Sequence, residues 1–470
     1  MKNNTRLSGY RRLCNALTLR IALFAVISSC VISSCDNFTE VGLPASQLTA
    51  AAVFEDKATA NAAMTDIYSK IRDNGLLTGS LFGLSNQLGF YSDELELYGG
   101  ETNFYNNALL PSGSEVSELW NSSYNQIYAA NAVFEGVENS VSLPVAERDQ
   151  LKGEALFVRA LLHFYLLNAF GDIPYIRTTN YEHNRVVERM TENEVYVLLK
   201  ADLEQAIFLL PENYISEERV RPNKWTAEAL LARVNLYMQL WDEASNAASA
   251  VLNQSELYFW EADLDKVFLK ESTVTLWQLM PKILGDNSQE AETFSFISGP
   301  PPMSALSNSL MDSFTADDQR KTHWTTPVTD GTAVWYHASK YKAIGNTGSA
   351  MEYSILFRLA EQYLIRAEAR AHQGDLIGAK EDLNKIRHTA GLPDTEATTG
   401  AALLDAIILE RRLEFFTELG HRFFDLKRTG RLDAVLSPLK AGWNSTDLNF
   451  PIPESELLLN PNLSPQNAGY

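Results

Sequence analysis

The stretch Ile355–Leu392, ILFRLAEQYLIRAEARAHQGDLIGAKEDLNKIRHTAGL, decides the fold. Leu356, Leu359, Tyr363, Ala367 and Ala371 recur at three- and four-residue intervals, the spacing that gathers side chains on one helix face. Gly374 then ends the helix, since glycine accepts the left-handed backbone of a C-terminus without strain. Asp375 follows as an N-cap whose carboxylate can accept from the first free N–H groups of a second helix. That helix carries Leu376, Ala379, Leu383 and Ile386 on its inner face.

The same grammar appears twice upstream. In LKGEALFVRALLHFYLLNAFGDIP (151–174), Leu151, Ala155, Val158, Leu162, Tyr165 and Ala169 repeat at helical spacing, and only Lys152, Arg159 and His163 form a thin polar stripe. A helix apolar nearly all round is expected to lie between layers, and Gly171 and Pro174 stop it. In KWTAEALLARVNLYMQLWDEASNAASAVL (224–252), Trp225, Ala229, Ala232 and Leu236 make one face, and a further helix is predicted to start near Trp241. Small alanines let paired helices approach closely. Helix pairs with small residues at the crossing and a Gly-Asp turn have the pattern of degenerate tetratricopeptide units. The fold class is therefore mainly α, a tetratricopeptide-like scaffold over about residues 117–253 and 352–420.

Two stretches interrupt this scaffold. Residues 76–115 are rich in Gly, Asn and Ser with scattered aromatics, among them Tyr98 and Tyr105. Residues 254–350 carry SGPPPM, PVTDGT and IGNTGS turns between short segments such as TVTLWQL and AVWYHASKYK, which predicts loops and a small strand pair. Loops on a rigid scaffold are where binding is expected.

The N-terminus sets the location. Met1–Arg20 holds five basic residues and no acid, Ile21–Ile32 is apolar, and the tandem VISSCVISSC places small residues before Cys30 and Cys35. This is the pattern of a lipoprotein leader over residues 1–34, with Cys35 as the acylated residue, Cys30 as the alternative, and a single domain over 35–470. Several acyl chains, at about 0.8 kcal/mol per buried methylene, would hold the product on a bilayer. Beyond residue 34, 34 basic residues face 59 acidic ones, a balance of −25 that opposes binding to nucleic acid. No cysteine follows Cys35, so packing must stabilise the fold without disulfides.

Catalytic machinery is not legible. The seven histidines form no HExxH or other short ligand pair, and no P-loop, nucleophile elbow or dinucleotide glycine pattern is present. Asp93, Glu94, Glu96 and Glu101 form a dense acidic loop. It reads first as solvated and second as a calcium site on Asp93, Glu94 and Glu96, the one cofactor left open; a glycosidase pair, needing two carboxyls across a sugar, comes last. His421, Arg422 and Asp425 in GHRFFDLKR read as scaffold, with Arg422 and Asp425 pairing along one turn. Trp120, Trp225, Trp241 and Trp277 fall in helical or apolar patterns and read as core. Trp324, Trp335, Tyr336, Tyr98, Tyr105 and Asn103 lie in the irregular stretches and are the candidate ligand residues, although core packing remains the leading reading for Trp324, Trp335, Tyr98 and Tyr105. A pyranose presents a face of C–H groups to an aromatic ring while its hydroxyls need amide or charged partners, and both kinds occur there.

The ordered segments ELWNSSYNQIYAANAVFEGV (118–137), GEALFVRALLHFYLLNAFGDIPYI (153–176), RPNKWTAEALLARVNLYMQLW (221–241), ERRLEFFTELGHRFFDLKRTGRL (410–432) and FPIPESELLLNPNLSPQNAGY (450–470) resemble one family closely. It is the SusD/RagB-like outer-membrane lipoproteins of Bacteroidetes, and the resemblance runs through nearly the whole chain after the leader. It implies four tetratricopeptide-like helix pairs with a ligand site built by loops outside them. It also implies a SusC-like TonB-dependent transporter as partner, over which the lipoprotein acts as a hinged lid. The expectation is a non-catalytic, lipid-anchored protein on the cell surface that binds an oligosaccharide. The alternatives are a peptide-binding member or a helical-repeat interaction scaffold.

Overall fold

The computed structural model describes residues 50–470; Cys30, Cys35 and the leader lie outside them. Asp56 opens the first long helix, α1 (Lys57–Asp73), accepting from the N–H groups of Ala58 and Thr59 at 2.8 and 3.2 Å. A short helix, α2 (Leu84–Tyr91), follows, and then the main stack begins with α3 (Ser114–Asn139) and α4 (Val145–Phe170). It continues through α5 (Glu192–Leu209), α6 (Lys224–Tyr237) and α7 (Trp241–Leu252). After a long excursion come α8 (Leu359–Gln373), α9 (Leu376–Thr389), α10 (Gly400–Phe415) and α11 (His421–Arg428). Each helix from α3 to α10 packs on its neighbour, and α8 rejoins α7, so residues 253–358 leave the stack without breaking it.

The expected caps are present. Gly374 takes φ 84°, and the Asp375 carboxylate accepts from Gly378 N–H at 2.9 Å. Ala232 of α6, Ala244, Ala247 and Ala248 of α7, and Ala369 of α8 are packed in one cluster, which explains the close approach of three helices. Trp241 departs from the core reading: it is half-buried, with its ring stacked 3.8 Å from His372 between α7 and α8.

Helix α4 lies between layers, against α3, α5 and α1. Two of its polar stripe residues turn inward. Arg159 makes a two-pronged pair with Asp202 of α5 at 2.6 and 2.7 Å and donates to Asn131 of α3 at 2.9 Å. His163 accepts from Ile176 N–H through Nε2 at 3.0 Å, which leaves Nδ1 to donate to the Arg159 carbonyl, and burial pushes its pKa down to about 3. These two residues of the polar stripe therefore mark internal contacts, to α3 and α5 for Arg159 and to the segment after α4 for His163, rather than solvent.

The strands are short. β1 (Leu95–Leu97) lies in the first irregular stretch; β2 (Thr275–Leu279), β3 (Ser304–Leu306), β4 (Thr325–Thr329), β5 (Val334–Ala338) and β6 (Ser354–Arg358) lie in the second. They form three antiparallel pairs, β1–β3, β2–β6 and β4–β5. The β4–β5 hairpin turns at Asp330–Thr332, where the Asp330 carboxylate accepts from the N–H groups of Thr332 and Ala333.

Two sequence expectations change. Leu356, assigned to the helix, sits in β6, and the helix starts at Leu359 because β6 is buried along its whole length against β2. A short continuous apolar run has no period that separates a buried strand from a helix. The stretch 76–115 also holds α2, whose residues are nearly all buried. Its Tyr91 ring meets Phe104, Phe423 and Phe450 edge-on at 5.9, 5.4 and 5.3 Å, which docks that stretch onto α11 and the C-terminal segment. Among the described residues, no helix is long and apolar enough to cross a membrane.

Candidate ligand-binding site

Pairing of β1 with β3 carries the chain directly into the site. Tyr98, just past β1, donates its N–H to Met303 at 2.8 Å, and Gly99 runs so close to Pro302 that a Cβ would stand 2.0 Å from its carbonyl oxygen. Trp335 comes from β5, and its ring lies against Gly299, where a Cβ would meet it at 2.2 Å. Period-two alternation puts His337 on the same side of β5, where it packs on Phe296 at 5.2 Å. The Tyr98 and Trp335 rings then meet edge-on, with centroids 6.2 Å apart and planes at 87°. Tyr98 is 46% exposed, Trp335 is half-buried, and Ile297 and Met303, in the segment that passes both rings, expose apolar surface.

Polar groups border this aromatic corner. The Tyr105 hydroxyl donates to Glu96 at 2.6 Å, and its ring lies 3.8 Å from the Lys440 ammonium. Burial and then the Glu96 carboxylate push the Tyr105 hydroxyl up to about 12, a shift to which the nearby Tyr98 also contributes. Burial pushes Lys440 down to about 8, and its ammonium also donates to the Phe90 carbonyl at 2.8 Å. Lys440 lies in a C-terminal loop with no local pattern to mark it, and the sequence analysis missed it.

The other candidates are placed differently. Trp324 is 1% exposed, donates through Nε1 to the Leu264 carbonyl at 3.0 Å and packs on Phe268; it is a core residue, so its ring has no face for a ligand. Tyr336 points to the opposite side of β5 from Trp335 and packs against the core. Asn103 is occupied by Glu115 in the first turn of α3, to which its amide donates at 2.8 Å.

The solvated reading of the acidic loop fails for Asp93 and Glu94, which are buried, whereas Glu96 is half-buried and Glu101 is exposed. Asp93 is held by Arg412 and Arg422 at 2.8 Å each; burial alone would raise its pKa, but the two guanidiniums keep it below the usual range. Glu94 is 1% exposed and is pushed up to about 8 by burial and by the Asp93 charge. Glu96 is engaged by Tyr105, and no group of three or more His, Cys, Asp or Glu side chains suited to a metal occurs among the described residues. Arg422 thus reaches across to Asp93 instead of pairing with Asp425, which binds Arg411 and Arg428.

These buried charges fix the aromatic corner to the scaffold. Glu94, immediately before β1, accepts a long 3.4 Å bond from Thr417 N–H. Lys340, two residues past β5, donates to the carbonyls of Glu414 and Phe416 at 2.7 and 2.9 Å and to the Glu418 carboxylate. The strands bearing Tyr98 and Trp335 are therefore tied to one turn, that between α10 and α11.

A family profile described as "Starch-binding associating with outer membrane" matches residues 49–236, and one described as "SusD family" matches 318–470. The SusD-like protein P25 of Formosa agariphila is 23% identical over 94% of this chain and 97% of its own length. The solved structure of a SusD superfamily protein from Bacteroides vulgatus superposes with a TM-score of 0.78 at 21% identity, covering 89% of this chain and all of that one. Surface glycan-binding protein A from Bacteroides thetaiotaomicron, solved with laminarihexaose, superposes with a TM-score of 0.73 at 20% identity, covering 87% of this chain and 99% of that one. The chain belongs to the SusD/RagB family, a family of outer-membrane-associated binding proteins.

Proposed function

We propose that this protein is a non-catalytic lipoprotein of the cell surface that captures a glycan at the Tyr98–Trp335 corner and delivers it to a SusC-like TonB-dependent transporter. The observation that carries this reading is the pair of perpendicular, solvent-facing rings bordered by Glu96, Tyr105 and Lys440. A sugar ring packs its C–H face on one aromatic plane, and its hydroxyls find a carboxylate, a phenol and an ammonium within the same surface. The likeness in fold to a protein solved with laminarihexaose supports the choice of ligand class. Acylation at Cys35 would tether the protein to the membrane.

An open site of this kind should bind in the micromolar to millimolar range, about −8 to −4 kcal/mol. Weak capture suits hand-over to a transporter. Affinity gels and calorimetry over soluble glycans test it. Binding to at least one is expected, whereas binding to peptides and to no glycan rejects the reading.

A further inference from the structure

A concavity of about 530 Å³ opens along α3, and none of the residues of the aromatic corner lines it. Its size falls within the range of small-molecule sites. Trp120 and Tyr124, one turn apart with ring centroids 4.8 Å from each other, line one side. Tyr128 continues that row and is 52% exposed, while Tyr181, 72% exposed, comes from the loop after α4. Asn121 and Asn125 lie on the same helix face at i and i+4, and neither side-chain amide is hydrogen-bonded within the described residues. Glu456 contributes a half-buried carboxylate with no ion-pair partner among the described residues, and burial raises its pKa.

The walls are stitched together before any ligand arrives. Asn460 and Asn462 donate through their amides to the carbonyls of Val187 and Val186, each at 2.8 Å, and Arg189 donates to the Pro465 carbonyl at 2.7 Å. These bonds fix the C-terminal segment against the loop that carries Tyr181. A rigid cleft needs little ordering when it binds.

Its lining selects a chemistry. Tyr128 and Tyr181 offer exposed faces for C–H groups, with Tyr124 half-buried between them and Trp120 closing the floor, and the two free amides each supply a donor and an acceptor, which suits vicinal hydroxyls. Arg185, the cation of the lining, is paired with Glu182, so with the Glu456 carboxylate on an acidic chain the cleft carries no surplus positive charge for an anionic ligand. We propose that this cleft is a second binding site, specific for a neutral oligosaccharide and independent of the Tyr98–Trp335 corner.

The test uses protein labelled with 3-fluorotyrosine and titrated with laminarihexaose, maltohexaose and cellohexaose. The fluorine resonances of Tyr128 and Tyr181 should shift together along one binding curve, and should still do so in the Tyr98→Ala/Trp335→Ala variant. Tyr128→Ala/Tyr181→Ala should weaken cleft binding, followed by the Tyr124 resonance, by roughly tenfold while the Tyr98 resonance titrates unchanged. If a sugar moves Tyr98 but leaves Tyr128 and Tyr181 in place at saturation, the cleft is not a glycan site and the corner reading stands. If Tyr128 and Tyr181 shift while Tyr98 does not, the corner reading falls and the cleft stands. Shifts at the cleft with a partner protein and with none of the three sugars would overturn the proposal.

Discussion

Lys340 reaches Glu418 across the interface between the strand that carries Trp335 and the turn that joins α10 to α11. Both side chains are largely removed from water, and the ammonium also caps the carbonyls of Glu414 and Phe416. Truncating one member of such a pair leaves its partner buried and unmatched. Lys340→Met should lower unfolding free energy by about 3–5 kcal/mol, read by urea denaturation. It should also weaken glycan binding, because Trp335 loses its tie to the scaffold.

Truncating the rings should separate binding from stability. Tyr98→Ala and Trp335→Ala should each reduce affinity at the corner by roughly tenfold, about 1.4 kcal/mol, with little change in Tm. Calorimetry and thermal melting check this, and unchanged corner affinity in both would show that the site lies elsewhere.

Gly299 offers a subtler test of the same geometry. A Cβ at that position would stand 2.2 Å from the Trp335 ring, so Gly299→Ala must displace the indole. The expected result is weaker glycan binding and altered Trp335 fluorescence in a protein that still folds. Normal binding would mean that the indole orientation is immaterial.

Glu94 gives the fold a pH dependence of known sign. Its folded-state pKa is raised from 4.5 to about 8, so folding takes up a proton between those values. Its contribution to stability is fully present below about pH 4.5 and is lost as pH rises towards 8. Glu94→Gln cannot ionise, so it should match the wild type near pH 5 and exceed it in stability near pH 8. Denaturation curves at the two pH values measure the difference.

The helical scaffold was legible because its signals are local and periodic. Gly374, Asp375 and the alanines around Ala232 and Ala369 each announce a turn or a close crossing within a few residues. Tyr98 and Trp335 were identified only as aromatics in irregular stretches; that their rings meet depends on β1 pairing with β3 and on the chain passing Gly299, neither of which has a sequence period. The buried half of the acidic loop, Asp93 and Glu94, was misread for a related reason. Asp93 finds its arginines at positions 412 and 422, too far along the chain for local pattern to connect them. Trp324 resembled Trp335 in lying in the second irregular stretch, and only the packing of Phe268 and Lys340 on its ring separates a core indole from a half-buried one.

A crystal structure of the protein soaked with the tightest-binding glycan of the panel tests the central claim most directly. The expected result is a pyranose ring lying against Trp335 and Tyr98, with hydroxyls directed at Glu96, Tyr105 or Lys440. A glycan bound only elsewhere, with both rings bare, would contradict it.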